Sequence, residues 1–141
     1  MDIQAAIRER LIGDAAFVAL VGSYEEAPAV FCDAFPQGFT FGEAPAIIID
    51  QPSQGENDDE FDGEIYTALA RVRIYHKPAS SGVPLVNARN RARRVLKEWP
   101  PQVIEGANYL DATVFGPERA PTTDPSLDGS FLSIRLTIRE S

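Results

Sequence analysis

The chain has 141 residues, 44% of them hydrophobic, with 13 Lys and Arg against 21 Asp and Glu and a formal net charge of -8. That length suits a single domain, residues 1–141, with a core of its own, and the acidic balance excludes a general nucleic-acid binder, which carries net positive charge or a dominant basic face. A lone cysteine, Cys32, excludes an internal disulfide and most thiolate metal sites; no apolar run is long enough to cross a bilayer, and MDIQAAIRERL lacks a signal-peptide layout, so a cytoplasmic, membrane-free protein is expected.

In chain order, Asp2 is an N-cap candidate ahead of Ile3, Ala6, Ile7 and Leu11 at helical spacing, Gly13 is a stop, and Asp14 restarts the pattern through Phe17, Leu20 and Val21. This predicts two short helices, or one broken at Gly13, beside a later helix. Residues 23–45 place Tyr24, Phe31, Phe35, Phe39 and Phe41 among prolines and glycines, an aromatic loop with a short edge strand at Ala29–Cys32. Its rings either cap the core where sheet and helices do not meet or, for at least one of Phe35, Phe39 and Phe41, anchor a partner. Ala46–Asp50 is short, branched and apolar, as a central strand is.

Between Asp50 and Glu64 there are seven carboxylates (Asp50, Glu56, Asp58, Asp59, Glu60, Asp62 and Glu64) and no basic residue, the composition of a solvated acidic loop, 51–63. The spacing of Asp58, Glu60, Asp62 and Gly63 superficially matches a calcium loop, but Leu69 stands where the bidentate Glu belongs, so no metal or other cofactor is expected. Glu64–His76 then alternates. Tyr66, Ala68, Ala70, Val72 and Ile74 fall on an apolar face, and Thr67, Arg71, Arg73 and Tyr75 on one left free for other work.

A helix follows over Val83–Trp99, with Ser80 and Ser81 as its start signal, Pro84 in its first turn and Pro100 and Pro101 as its stop. Its stripe of Leu85, Ala88, Ala92, Val95, Leu96 and Trp99 must lie on the apolar sheet face, with Arg93, Arg94 and Lys97 outward and Arg89 and Arg91 flanking. Residues 65–97 hold no acidic side chain, against the trend of the whole chain. Residues 103–107 read as a connector, 109–115 as a strand and 116–129 as a turn or loop with acidic caps at Asp124 and Asp128. In the last strand Leu132, Ile134, Leu136 and Ile138 alternate with Ser133, Arg135, Thr137 and Arg139. The prediction is an α+β domain: an antiparallel or mixed sheet of about four strands with the N-terminal and central helices on one face.

Little in the chain is fit for catalysis. His76 is the single histidine, so any triad must use it with Cys32 or a serine, and no nucleophile-elbow, phosphate-loop, dinucleotide or zinc-protease motif is present. The carboxylates crowd one loop instead of facing each other across a cleft, which acid and base work requires. These residues point to a non-enzyme.

MDIQAAIRERL, VFCDAFPQGF leading into APAIIID, and GEIYTALARVRIYHK running into RNRARRVLKEW follow one another in an order that resembles the tail terminator, or tail completion, proteins of long-tailed bacteriophages and gene transfer agents. The likeness covers essentially the whole chain, and the Pro36, Gln37, Gly38 turn ahead of the Pro45-led strand is its most specific part; Ala46 stands where an aromatic is usual, and the acidic insert is longer. The resemblance implies a virion protein assembled in the bacterial cytoplasm into a homo-hexameric ring. Such a ring caps the head-proximal end of the tail tube, ends its polymerisation, contacts the tube protein and the head-tail connector or stopper of the neck, and lets DNA pass through its lumen without sequence-specific binding.

For the ring contact the sequence offers two candidates. One sets the basic helix face of Arg89, Arg93, Arg94 and Lys97 against the acidic loop of Glu56, Asp58, Asp59, Glu60 and Asp62 of a neighbour; the other uses the sheet face of Arg71, Arg73, Arg135 and Arg139. The alternatives for the protein are a tail tube or head-tail joining subunit, and a small acyl- or nucleotide-handling α+β enzyme using Cys32 or His76.

Overall fold

The computed structural model describes residues 2–54, 64–77, 82–100, 103–104, 107–122 and 124–140. Glu56, Asp58, Asp59, Glu60 and Asp62 of the acidic loop, and the Ser80 and Ser81 start signal, lie outside the described residues.

Two helices open the chain, α1 (Ile3–Ile12) and α2 (Ala15–Val18). Asp2 caps the first by accepting from the Ala5 amide at 3.0 Å, Gly13 ends it, and Asp14 caps the second by accepting from the Phe17 amide at 2.9 Å. A two-stranded ribbon follows, β1 (Ser23–Tyr24) and β2 (Ala27–Pro28), turned by Glu25 and Glu26 at positive φ. Its two-residue strands were not foreseen in the aromatic loop.

The main sheet has seven strands: β3 (Val30–Cys32), β4 (Ala46–Ile49), β5 (Ser53–Gln54), β6 (Glu64–His76), β7 (Val103–Ile104), β8 (Ala107–Arg119) and β9 (Asp128–Glu140), in the order β3-β4-β6-β9-β8-β7 with β5 also on β6. It is mixed, because β3 runs parallel to β4 while every other pairing is antiparallel. The four expected strands are its body and β3 is the short edge strand expected at Ala29–Cys32; β5 and β7 are two residues each, too short to show a period.

The spine is β6 on β9, paired from Glu64↔Glu140 to His76↔Asp128. This register sets Ala68, Ala70, Val72 and Ile74 beside Leu136, Ile134, Leu132 and Ser130 on one face. There α3 (Val83–Lys97) lays down Leu85, Ala88, Ala92, Val95 and Leu96, joined by Trp99, Ile7, Leu11 and Phe17 in a single buried core. Gly82 stands at the helix start and makes no side-chain cap, so Pro84 and the buried stripe define that end.

Two expectations are corrected. Residues 116–119 continue β8 and 128–131 begin β9, so the connection is residues 120–127; Gly116 and Pro117 sit at a bulge between Phe115 and Glu118. Proline is tolerated there because β7 reaches only residues 107–108, leaving the far side of β8 without a paired strand among the described residues. Val103 and Ile104 likewise form β7, and Ala107 is the first residue of β8.

Candidate assembly surfaces

The outer sheet face is not free along its whole length. At the β3-β4 side, Tyr75 and Ile48 are buried under Ala120, Phe35, Phe41 and Phe131, a second small core. The aromatic loop builds its lid: Phe35 stacks on Phe39 with centroids 5.1 Å apart and meets Phe31, Phe41 and Tyr75 edge-on. The rings therefore cap a core, as one expectation had it, and all four loop phenylalanines are only half-exposed.

Beyond the lid the face alternates arginine with aromatic rings. Arg71 lies 5.0 Å over Phe131, Arg73 5.7 Å over Tyr75 and Arg135 5.4 Å over Phe115. Phe115 and Leu69 remain 45% and 42% exposed, large apolar side chains on an otherwise polar surface. Arg73 is committed further, since its Nε and Nη2 donate to Asp50 at 3.0 and 2.6 Å and its Nη1 to the Tyr75 hydroxyl at 3.0 Å. Desolvation opposes the Arg73 charge, but the bonds to Asp50 and Tyr75 outweigh it and hold its pKa above the ordinary arginine value. The Tyr75 hydroxyl in turn donates to the Pro121 carbonyl at 3.2 Å.

These groups floor a groove of about 330 Å³ walled by Asp33, Phe35, Pro121, Thr122, Asp124 and Leu127. Asp33 accepts from Gln4 at 2.8 Å, and Asp124 from the Ser126 hydroxyl and amide at 2.7 and 2.9 Å. The Ser126 bonds, helped by the charge of Lys77, hold the Asp124 carboxyl below its ordinary value. No local sequence pattern marks the groove or its two carboxylates; in the sequence Asp124 reads only as a turn cap.

On the opposite side, α3 turns Arg93, Arg94 and Lys97 to solvent as expected, with Arg89 half-buried against Asn90. Arg94 bonds Glu98 at 3.3 Å, an exposed pair of little weight. Arg93 and Lys97 have no carboxylate or carbonyl partner among the described residues. Val83 and Val86, 59% and 38% exposed, extend this face at its N-terminal end. Arg139 is exposed on the outer sheet face, away from the groove's lining residues.

The two residues available to an enzyme reading are not brought together. Cys32 pairs with Ile49 and Tyr75 with Ala46, so Cys32 and His76 sit at opposite ends of β4, roughly 10 Å of strand apart. Burial pushes the Cys32 thiol pKa up, away from the thiolate a nucleophile needs. His76 is 2% exposed, and its Nε2 makes a 2.9 Å bond to the Glu43 carbonyl. Among the described residues no group of three or more His, Cys, Asp or Glu side chains could hold a metal ion, and no helix is long and apolar enough to cross a membrane.

No protein-family model and no curated protein matches the sequence. A solved structure does. One chain of the virion of a native gene transfer agent particle superposes with a TM-score of 0.76 at 17% identity, over 98% of this chain and 95% of that one. The two share a fold. At that identity the likeness concerns backbone architecture, and it agrees with the α+β arrangement from α1 to β9.

Proposed function

We propose that the chain is a structural protein of a phage-like or gene-transfer-agent virion, without enzymatic activity, that forms a hexameric ring on the head-proximal end of the tail tube. The observation that carries this reading is the likeness to a gene transfer agent virion chain across almost the full length of both proteins. The resemblance of its ordered motifs to tail terminators supplies the finer placement: the ring ends tube polymerisation and joins tail to neck, with the tube protein below, the connector or stopper above, and DNA passing through. Arg93, Arg94 and Lys97 on one side and the Arg71 and Arg135 face on the other are the surfaces offered to neighbours.

The test is a particle-producing strain from which this chain is removed. The reading requires tails of uncontrolled length or tails without heads, both restored by supplying the protein. Loss of tube material altogether would instead identify a tube subunit, and normal particles would refute a virion role.

A further inference from the structure

We propose that the groove on the outer sheet face is a socket for the cationic end of α3 of a second copy, so that Arg93 and Lys97 of one copy sit against Asp33 and Asp124 of the next. This contact rests on the ring reading above. The two halves are complementary. The groove has the carboxylates of Asp33 and Asp124 in its lining, with an apolar surface of Phe35, Ile48, Pro121 and Leu127 that suits the methylene stem of a long cation. Arg73 does not cancel these carboxylates, because Asp50 already neutralises it. Lys77 is close enough to act on Asp124.

The floor is also set in advance. The chain of hydrogen bonds from Asp50 through Arg73 and Tyr75 to Pro121 fixes it before anything enters. On the other half, Arg93 and Lys97 are one helical turn apart and exposed, whereas Arg91 is held by Asp14, and Arg8 and Arg10 by backbone carbonyls.

One copy cannot join its own halves. The helix packs on the inner face of β6, β8 and β9, while the groove opens on the outer face over Ile48, Arg73 and Tyr75. The contact is therefore head-to-tail: each copy added leaves one free groove and one free helix face, and a constant rotation between copies closes a ring. This replaces the acidic loop with the groove as the partner of the basic helix.

The experiment uses charge exchange in the full chain, read by sedimentation and electron microscopy at low salt. Asp33→Lys with Asp124→Lys is one variant, Arg93→Asp with Lys97→Asp a second, and all four changes together a third. The proposal expects rings from the wild type and none from either pair variant, both melting within a few degrees of the wild type. The two pair variants mixed should yield rings of alternating copies, because every groove then meets a helix face of opposite charge, and the fourfold exchange should form rings on its own. Rings from either pair variant alone would overturn the socket while leaving the ring reading standing; a wild type that never forms rings, alone or on tail tubes, would remove both.

Discussion

Arg91 grips Asp14 with two arms, Nε to Oδ2 and Nη2 to Oδ1, both at 2.8 Å, and so ties the middle of α3 to the N-cap of α2. The same carboxylate accepts from the Phe17 amide, so one side chain starts a helix and fastens it to another. Phe17, at 0% exposure, is delivered to the core by this arrangement. Asp14→Ala should lose the cap, about 1 kcal/mol, and the bridge besides, whereas Asp14→Asn keeps much of the cap. Thermal melts of the two variants should rank wild type above Asn above Ala.

That bridge also sets a pH dependence. The Arg91 hydrogen bonds hold the Asp14 carboxyl below its ordinary value near 3.8, against a smaller opposing effect of burial. A depressed carboxyl stabilises the fold above its unfolded pKa and loses that contribution as pH falls through the folded one. The stability gap between wild type and Asp14→Asn should be constant from neutrality down to about pH 5 and shrink below pH 4. A gap that persists unchanged at pH 2 would show that the charge is not what matters.

Trp99, 5% exposed, and Ile134, fully buried, both belong to the inner-face core, one closing the α3 stripe and the other at the centre of β9. Cutting either to Ala should cost roughly 2–5 kcal/mol through lost transfer energy and residual cavity. Denaturant titration reads this directly. An unchanged midpoint in both would contradict the placement of α3 on the sheet.

Gly129 controls the other face. A Cβ there would come within 2.7 Å of the Tyr75 ring and 3.0 Å of the Ala120 Cβ. Gly129→Ala should push Tyr75 off the Arg73 and Pro121 bonds, destabilise the fold by about 1–3 kcal/mol, and deform the groove. Assembly should weaken more than at a surface control such as Glu118→Ala, with light scattering at matched concentration as the readout.

Cys32→Ala and His76→Ala should both leave particle assembly intact. Cys32 is a free thiol, exposed but partly desolvated, and His76 braces the end of β6 against the Glu43 carbonyl. His76→Ala should still cost about 1–3 kcal/mol in stability, because the pairing and part of the packing are lost. Loss of functional particles from a folded variant of either would reopen catalysis.

The spine of the fold was readable because β6 and β9 alternate strictly and α3 repeats at helical spacing, so burial pattern and sequence pattern coincide. Gly116 and Pro117 misled because their local turn preference is overridden at a sheet edge, where a missing amide hydrogen harms nothing. Tyr75 was assigned to an open face because the lid of Phe35 and Phe41 arrives from forty residues away, beyond any local period. The groove was invisible for the same reason: Asp33, Arg73 and Asp124 come from three separate segments and meet only through the β4-β6-β9 register. The basic α3 face, by contrast, needed nothing but helical spacing.

Salt separates a charge-guided assembly from an apolar one. Exposed charges act over about 10 Å near 0.1 M salt and less above it, so assembly through Arg93 and Lys97 should be strong at low ionic strength and fall toward monomer near 1 M. Sedimentation velocity across that range decides it; assembly that strengthens with salt would point to Leu69, Phe115, Val83 and Val86 as the contact instead.

Electron microscopy of the purified protein at low salt, alone and mixed with tail tubes, is the decisive test of the ring. Closed rings of six copies that seat on one end of each tube and stop its growth are expected. Long tubes made of this chain alone, or a monomer that leaves tube ends bare and growing, would contradict it.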